Sequence, residues 1–271
     1  HVFERLRLEA AWNSAPTPEL VEIGARVTEG IAGEEARAQA LHRFVNETLD
    51  QRAWPPAAPT QALLLRRGNP TYSFLALLRA SGIDAELIWS RGITPRADDE
   101  AQSRFVSAER WRRQPLVLVR PQDGEPAWCE MHPTARLLPY GELFGQVSGA
   151  AAYATKSDRE LVTPAIPLSN GPHFVFEATF RVEPTGAASV AGKVMPRAGL
   201  SSFIKEQVQK MPESQIRANV RGVASQLVRG LSVKTWRFVG LDERDQPLVL
   251  EGEGEVKAFL DREQDAWVAR L

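Results

Sequence analysis

The stretch NPTYSFLALLRASGIDAELIWSR, residues 69–91, joins a helix pattern directly to a strand pattern. Asn69 is a favourable N-cap, Pro70 suits the first helical position because its missing N–H would have no helical partner there, and Gly82 is a favourable terminator. Four apolar side chains predict a buried helix: Phe74, Leu75, Leu77 and Leu78. Alternate residues then predict one apolar face of a strand: Ile83, Ala85, Leu87 and Trp89. A buried helix leading straight into a strand organises the first half of the chain.

Two amphipathic helices are predicted upstream of this stretch. Thr17 and Pro18 begin the first, over residues 17–31, as N-cap and first helical residue. The second covers residues 33–50, with acidic residues in its first turn and apolar residues spaced along one face. His42 lies beside that face, and we expect it to be partly buried and hydrogen-bonded.

The segments on either side of the stretch differ in character. Residues 53–69 form a proline-rich connector that is too interrupted for one regular element. Residues 115–131 predict a β-hairpin that turns at Asp123 and Gly124. Helices followed by strands in this order predict an α+β fold.

The pattern changes near residue 160 to strands, then two helices, then strands again. Such a change indicates a second domain. We therefore expect residues 1–16 to be the tail end of a preceding segment, residues 17–160 to form the first domain, and residues 165–271 to form a smaller β-rich domain with two helices.

The composition narrows the class of protein. The chain has 271 residues, 43% of them hydrophobic, and a formal net charge of −1, which fits a globular chain and argues against a nucleic-acid partner. No apolar run approaches the roughly 18 to 20 residues of a membrane span. One cysteine, Cys129, and scattered histidines offer no metal motif, so we expect no metal and no cofactor. The chain starts at His1 without a signal-peptide pattern, so we expect a piece of a longer protein.

Three segments together resemble a known family. These are AWPPAAPTQALLLRRGNPT (53–71), LLRASGIDAELI (77–88) and PLVLVRPQDGEPAWCEMHPTARLLPYGEL (115–143). They are similar to the transglutaminase-like branch of the papain-fold superfamily, and more narrowly to its bacterial cell-envelope group. The resemblance implies a transglutaminase-like domain followed by a smaller α+β or β-rich domain, and a periplasmic or cell-envelope location.

Active members of that family use a Cys at a helix N-terminus, a His base on a strand and an Asp that orients the His. Carried over residue by residue, the three positions are Pro70, Pro115 and His132 in this chain. None of the three residues can fill its role. The resemblance therefore implies a degenerate triad and no catalytic residue.

We accordingly expect a catalytically inactive transglutaminase-like module that binds or scaffolds a protein or peptide within a larger envelope protein or assembly. The residues expected to line its groove are Asn69, Tyr72, Trp128 and His132. The alternative is an active acyl transferase or peptidase that uses Cys129 or Ser73, although the spacing along a strand places Cys129 and His132 on opposite faces and favours a core role for Cys129. A third possibility is a structural spacer without a ligand.

Overall fold

The structure, a computed structural model, describes residues 2–50, 58–90, 114–131, 136–143, 147, 149–164, 174–196, 199–244, 246–263 and 266–269. Over these residues the protein is α+β, with seven helices and two antiparallel sheets, besides a small two-stranded hairpin. The chain divides into two compact units, His1–Gly171 and Pro172–Leu271. No helix within the described ranges is long and apolar enough to cross a membrane.

The first unit combines five helices with a five-stranded sheet. Its helices are α1 (Val2–Asn13), α2 (Pro18–Val27), α3 (Glu34–Thr48), α4 (Pro59–Leu65) and α5 (Pro70–Ala80). Its strands are β1 (Asp84–Ser90), β2 (Gln114–Arg120), β3 (Ala127–Glu130), β4 (Ala151–Ala154) and β5 (Arg159–Val162). The sheet is antiparallel throughout, in the order β3-β2-β1-β4-β5.

The central helix α5 begins and ends as its sequence predicts. The Asn69 side chain accepts hydrogen bonds from the N–H groups of Thr71 and Tyr72, and Pro70 occupies the first helical position. Gly82 adopts a φ of 73°, and the N–H of Ile83 donates to the carbonyl of Leu78 at 2.9 Å. A left-handed residue followed by this bond is the Schellman ending, which glycine adopts without steric strain.

The two faces of the first sheet carry separate cores because successive strand residues point to opposite sides. The face toward the helices buries Ala85, Leu87, Trp89, Val117, Val119, Cys129 and Tyr153 in one cluster with α5. The other face buries a second cluster, formed by Ile88, Leu116, Leu118, Leu143, Val147, Ala152 and Ala154. The face predicted for the strand after Gly82 is therefore confirmed.

Four elements of the first unit were not predicted: α1, α4, β4 and β5. The N-terminal residues 1–16, expected to be the tail end of a preceding segment, contain α1, whose Leu6 and Ala10 are buried in the core cluster beside α5. Within the proline-rich connector, α4 begins at Pro59, because proline is tolerated in the first helical turn. Strands β4 and β5 extend the sheet beyond β1.

The second unit contains two helices and a four-stranded sheet. Its elements are β6 (Phe174–Val182), β7 (Ala188–Pro196), α6 (Gly199–Lys210), α7 (Glu213–Leu227), β8 (Leu231–Val239), β9 (Val249–Val256), β10 (Leu260–Glu263) and β11 (Ala266–Ala269). The sheet is antiparallel in the order β6-β7-β9-β8, and β10 pairs with β11. Helix α7 packs on β8. The core includes the stacked rings of Phe180 and Phe259, with centroids 4.5 Å apart.

Candidate functional site

The helix start where the family resemblance would place a nucleophile is occupied by Pro70. This residue is buried at the first position of α5 and carries no ionisable or nucleophilic group. The N–H groups that follow it are already satisfied, because Asn69 Oδ1 accepts from Thr71 at 2.9 Å and from Tyr72 at 3.2 Å. This helix terminus therefore stabilises itself and has no free donor directed at a ligand.

Ser73, one of the two nucleophiles of the alternative hypothesis, is fully buried. Its hydroxyl donates to the carbonyl oxygen of Asn69 at 3.0 Å. A hydroxyl that bonds back to the carbonyl four residues earlier is a local backbone interaction. Ser73 thus has a structural partner and no access to a substrate in this structure.

Cys129, the other nucleophile, lies on β3 opposite Val117 and is fully buried. Burial raises the pKa of its thiol to about 12, with the backbone N–H of Gly141 acting in the opposite direction. A thiol with such a pKa is protonated near neutral pH, and the thiolate is the nucleophilic form. Burial and pKa both favour the core role that was expected for this residue.

Of the other two positions of the degenerate triad, the structure describes only Pro115. Pro115 is half-buried near the start of β2, opposite Trp89 of β1. Along β2 it shares the helix-facing side with Val117, which packs in the same cluster as Phe74 of α5. His132 lies outside the described residues. Pro115 thus lies on the helix-facing side of β2, and Pro70 is buried at the start of α5.

The residues expected to line one groove do not share one surface. Asn69 and Tyr72 are buried beside the helix-facing core, and the Tyr72 hydroxyl donates to Glu9 at 3.3 Å. Trp128 packs on the cluster of the opposite sheet face. The reason is the two-residue period of a strand: Cys129 points toward α5, so its neighbour Trp128 points away. His132, the fourth residue of that set, is outside the described ranges.

His42 is buried and hydrogen-bonded, as the sequence predicted, and it lies in a polar cluster whose other members were not predicted. The Nε2 atom of His42 lies 3.4 Å from the side-chain nitrogen of Asn46, and its ring makes edge contacts with Phe74 and Tyr140. Burial raises the pKa of Tyr140 above its ordinary value, with Cys129 and Glu35 acting in the same direction. The i,i+4 spacing of His42 and Asn46 was the available signal. Because His42 is buried, this cluster supports packing and offers no acid–base group to solvent.

A second buried polar group is Glu86, on the face of β1 opposite the helices. Its carboxylate accepts hydrogen bonds from Arg120, from the backbone N–H of Lys156 at 3.1 Å and from that of Ser157 at 3.0 Å. Burial alone would raise its pKa, but these hydrogen bonds and the charge of Arg120 outweigh burial and lower it. Glu86 therefore ties β1 to β2 and to the turn after β4 as a carboxylate.

The first unit also exposes apolar side chains at its surface. On α1, Leu8 is 65% exposed and Trp12 is 85% exposed, one helical turn apart. The opposite side of α1 is the one buried through Leu6 and Ala10. Exposed aromatic and aliphatic side chains grouped in this way are typical of protein-binding surfaces. Sequence reasoning missed this surface because it assigned residues 1–16 to a preceding segment.

Metal ligation receives no support from the described part of the chain. No group of three or more His, Cys, Asp or Glu side chains within the described ranges is arranged to hold a metal ion. The described histidine, His42, has the aromatic and amide neighbours given above.

Comparison with known proteins gives one structural similarity. No family model matches the chain, and no curated protein matches it. A crystal structure described as a "putative protease" from Parabacteroides distasonis is similar at 9% sequence identity and a TM-score of 0.43, over 92% of this chain and 51% of that chain. This chain thus spans about half the length of that structure. Similarity at this level carries no argument about family or activity.

Proposed function

We propose that the chain is a non-catalytic module that binds a protein or peptide, with a transglutaminase-like first unit. The observation that carries the proposal is Pro70 at the first position of α5, where an enzyme of the resembling family would need a thiol. The residue at this position matters more than the fold, because a fold by itself does not imply chemistry.

Burial of the two candidate nucleophiles supports this proposal over the alternative, which is an active acyl transferase or peptidase. Ser73 and Cys129 are both fully buried, and the thiol is held in its protonated form. A nucleophile in covalent catalysis needs an activating base and contact with substrate. Neither residue has both in the described structure.

The proposed docking surface is the outer side of α1, which we call the α1 face and define by Leu8 and Trp12. Trp is enriched among the residues that dominate binding energy in protein interfaces, and an aliphatic neighbour helps to exclude water around it. Because Leu6 and Ala10 anchor the opposite side of α1 in the core, the α1 face is presented on a packed helix. A rigid apolar surface of this kind suits a protein or peptide partner.

The family resemblance also suggests a cellular location and a larger protein to which the module belongs. We propose that the module belongs to a larger protein or assembly of the bacterial cell envelope. Fractionation of cells that express the full-length protein tests this location. Recovery in the cytosolic fraction alone would contradict it.

Chemical labelling tests the lack of a nucleophile. The native chain is treated with iodoacetamide and, separately, with a fluorophosphonate, and modified residues are identified by mass spectrometry. Cys129 and Ser73 are expected to remain unmodified until denaturant is added, because both are buried. The matched control is Ser225→Cys on the exposed side of α7, which should be alkylated at once in the native state. Rapid labelling of Cys129 or Ser73 that an amine or peptide blocks would overturn the proposal.

Site-specific photo-crosslinking tests the α1 face. A benzophenone amino acid replaces Trp12 in one variant and exposed Arg221 of α7 in the control. The expected result is a discrete cross-linked product in envelope extracts with the Trp12 variant and none with the control. Identical products at both positions, or none at either, would remove the support for this surface.

A further inference from the structure

The second unit leaves one long strand at the edge of its sheet. Strand β6 pairs with β7 in an unbroken register of nine residues, from Phe174 opposite Pro196 to Val182 opposite Ala188. Among the described residues of this unit, only β7 pairs with β6. The other side of β6 therefore presents backbone N–H and C=O groups that can pair with a further strand.

The opposite edge of the same sheet is less suited to such pairing. Strand β8 has a register shift between Val233 and Thr235, and α7 packs against it. Bulges and covering helices are the usual ways in which proteins protect a sheet edge. This asymmetry singles out β6 as the edge available to a partner.

The inner face of β6 carries apolar side chains that its own unit covers incompletely. Phe180 and Ala178 pack against the core. Phe176 is 36% exposed and Val182 is 42% exposed. A strand added beside β6 would cover these two side chains.

We infer that β6 pairs with β6 of a second copy of this chain, antiparallel and centred on Thr179. In this register Glu177 lies opposite the second copy's Arg181, and by symmetry Arg181 lies opposite the second copy's Glu177. On the inner face, Phe176 lies opposite Val182 in the same reciprocal way. The result is one eight-stranded sheet that runs through both copies.

Antiparallel pairings that overlap five or more residues of β6 are centred on residues 176 to 180. Among these pairings, the positions of the charged residues favour the one centred on Thr179. Centring on residue 177 places Glu177 opposite itself, and like charges directly opposite each other are unfavourable. Centring on residue 178 leaves both charged residues opposite uncharged ones, and centring on residue 176 or 180 leaves one of them beyond the end of the partner strand. Only the register centred on Thr179 places opposite charges together on the outer face, and it opposes no like charges.

The charged groups are placed to take part in this contact. Arg181 faces Ser189 across the β6–β7 pair and has no ion pair with a described residue. Glu177 already contacts Lys193 at 2.9 Å, and its side chain remains 56% exposed, so its carboxylate can accept a second cation. The dimer would extend this pair into the row Lys193, Glu177 and the second copy's Arg181.

Oxidative cross-linking of the full chain tests both the dimer and its register. Thr179 faces its own copy across the two-fold axis, where directly opposite Cβ atoms lie about 4.5 to 5.5 Å apart. Thr179→Cys is therefore expected to form a disulfide-linked dimer on mild oxidation. The matched control, Arg181→Cys, places the two thiols four residues out of register, about 13 Å apart along the strands, and should not cross-link. Cys129 is buried and gives little background.

Charge reversal supplies the second test, read by analytical ultracentrifugation over a range of concentrations. Glu177→Arg and Arg181→Glu each oppose like charges twice across the axis and should raise the dimer Kd about tenfold or more. The double variant restores both pairs and should return the Kd to within about threefold of that of the unmodified chain. The control Arg237→Glu, on β8, should leave the Kd unchanged.

Each alternative outcome overturns the inference in a distinct way. A monomer at all accessible concentrations rejects the dimer. Dissociation of the dimer by Arg237→Glu rejects this edge. Cross-linking of Arg181→Cys as fast as Thr179→Cys rejects this register. The inference does not rest on the proposed function, because it involves no residue of the α1 face or of the helix start at Pro70.

Discussion

Asp123 caps the helix that begins at Glu34. One carboxylate oxygen of Asp123, in the turn between β2 and β3, accepts the backbone N–H of Glu34 at 3.0 Å and that of Glu35 at 3.0 Å. In return, the Glu34 carboxylate accepts the backbone N–H of Gln122 at 3.0 Å. The cap residue itself is Gly33, which has no side chain to do this. A hairpin turn therefore supplies, from 89 positions away, the cap that the helix lacks locally.

This relationship gives the first prediction. Asp123→Ala leaves N–H groups of the first turn of α3 without an acceptor and removes a favourable charge at the helix N-terminus. The free energy of unfolding should fall by about 1 to 2 kcal/mol, as for other lost caps. Urea denaturation measures the change, and Asp123→Asn, which keeps an acceptor oxygen, should lose less. An equal loss in the two variants would show that the hydrogen bonds are not the cause.

Glu86 gives a prediction about pH. Its folded-state pKa lies below the ordinary value of 4.5, so its contribution to stability is fully present above that value and is lost as the pH falls through the folded pKa. The unmodified chain should therefore lose stability on acidification below about pH 4.5 more steeply than Glu86→Gln. At pH 7, Glu86→Gln should be less stable by about 2 kcal/mol, because charge-assisted bonds become neutral or are lost.

Chemical denaturation at a series of pH values measures both effects. The control is Glu160→Gln on β5, where the side chain is exposed and no shift of stability is expected. If Glu86→Gln and the unmodified chain lose stability in parallel as the pH falls, Glu86 is not the group responsible.

Truncation of a side chain should lower stability on the buried side of α1 and weaken partner binding on its exposed side. Leu6→Ala removes a fully buried side chain and should lower the free energy of unfolding by about 2 to 5 kcal/mol. Trp12→Ala removes an exposed side chain and should change stability by less than about 0.5 kcal/mol, while weakening partner binding. Thermal unfolding measures the first effect and co-purification with the cross-linked partner the second. A large loss of stability with Trp12→Ala would show that Trp12 stabilises the fold and would contradict its proposed role in binding.

Introducing a Cys and a His at the positions that the resemblance implies tests the resemblance itself. Pro70→Cys should fold but react with iodoacetamide slowly, since Pro115, at the position that the resemblance gives to the base, cannot accept a proton. Adding Pro115→His places an imidazole on the helix-facing side of β2, where it should favour the thiolate and raise the alkylation rate about tenfold at pH 7. The pH dependence of alkylation, measured for the single and double variants, should show a lowered thiol pKa only in the double variant. Equal profiles would mean that the two positions do not converge as the resemblance implies.

Local patterns predicted much of the fold because their causes lie within a few residues. The cap at Asn69, the proline at the first turn of α5 and the glycine ending at Gly82 depend on backbone hydrogen bonds between near neighbours. The alternating face of β1 likewise follows from strand geometry. Helix α1 was not predicted because its formation depends on tertiary packing. Helix α4 was not predicted because it lies within a proline-rich segment.

The candidate site was less predictable from sequence than the fold. Trp128 and Tyr72 looked like neighbours of one groove because each adjoins a family motif, yet they pack on opposite faces of the sheet. Which face a strand residue takes depends on the register with its neighbours, and a shift of one residue exchanges the faces. Exposure of Trp12 could not be predicted either, because it depends on which side of α1 meets the core.

The sequence by itself determined that Pro70 begins the central helix, because a proline at a capped helix start is favoured by its own backbone geometry. It also determined that no thiol stands at that position. Tertiary structure alone decided that Ser73 and Cys129 are enclosed, that Asp123 caps a distant helix and that β6 lies at a sheet edge. These outcomes depend on contacts between residues far apart in the chain, which local periodicity does not specify.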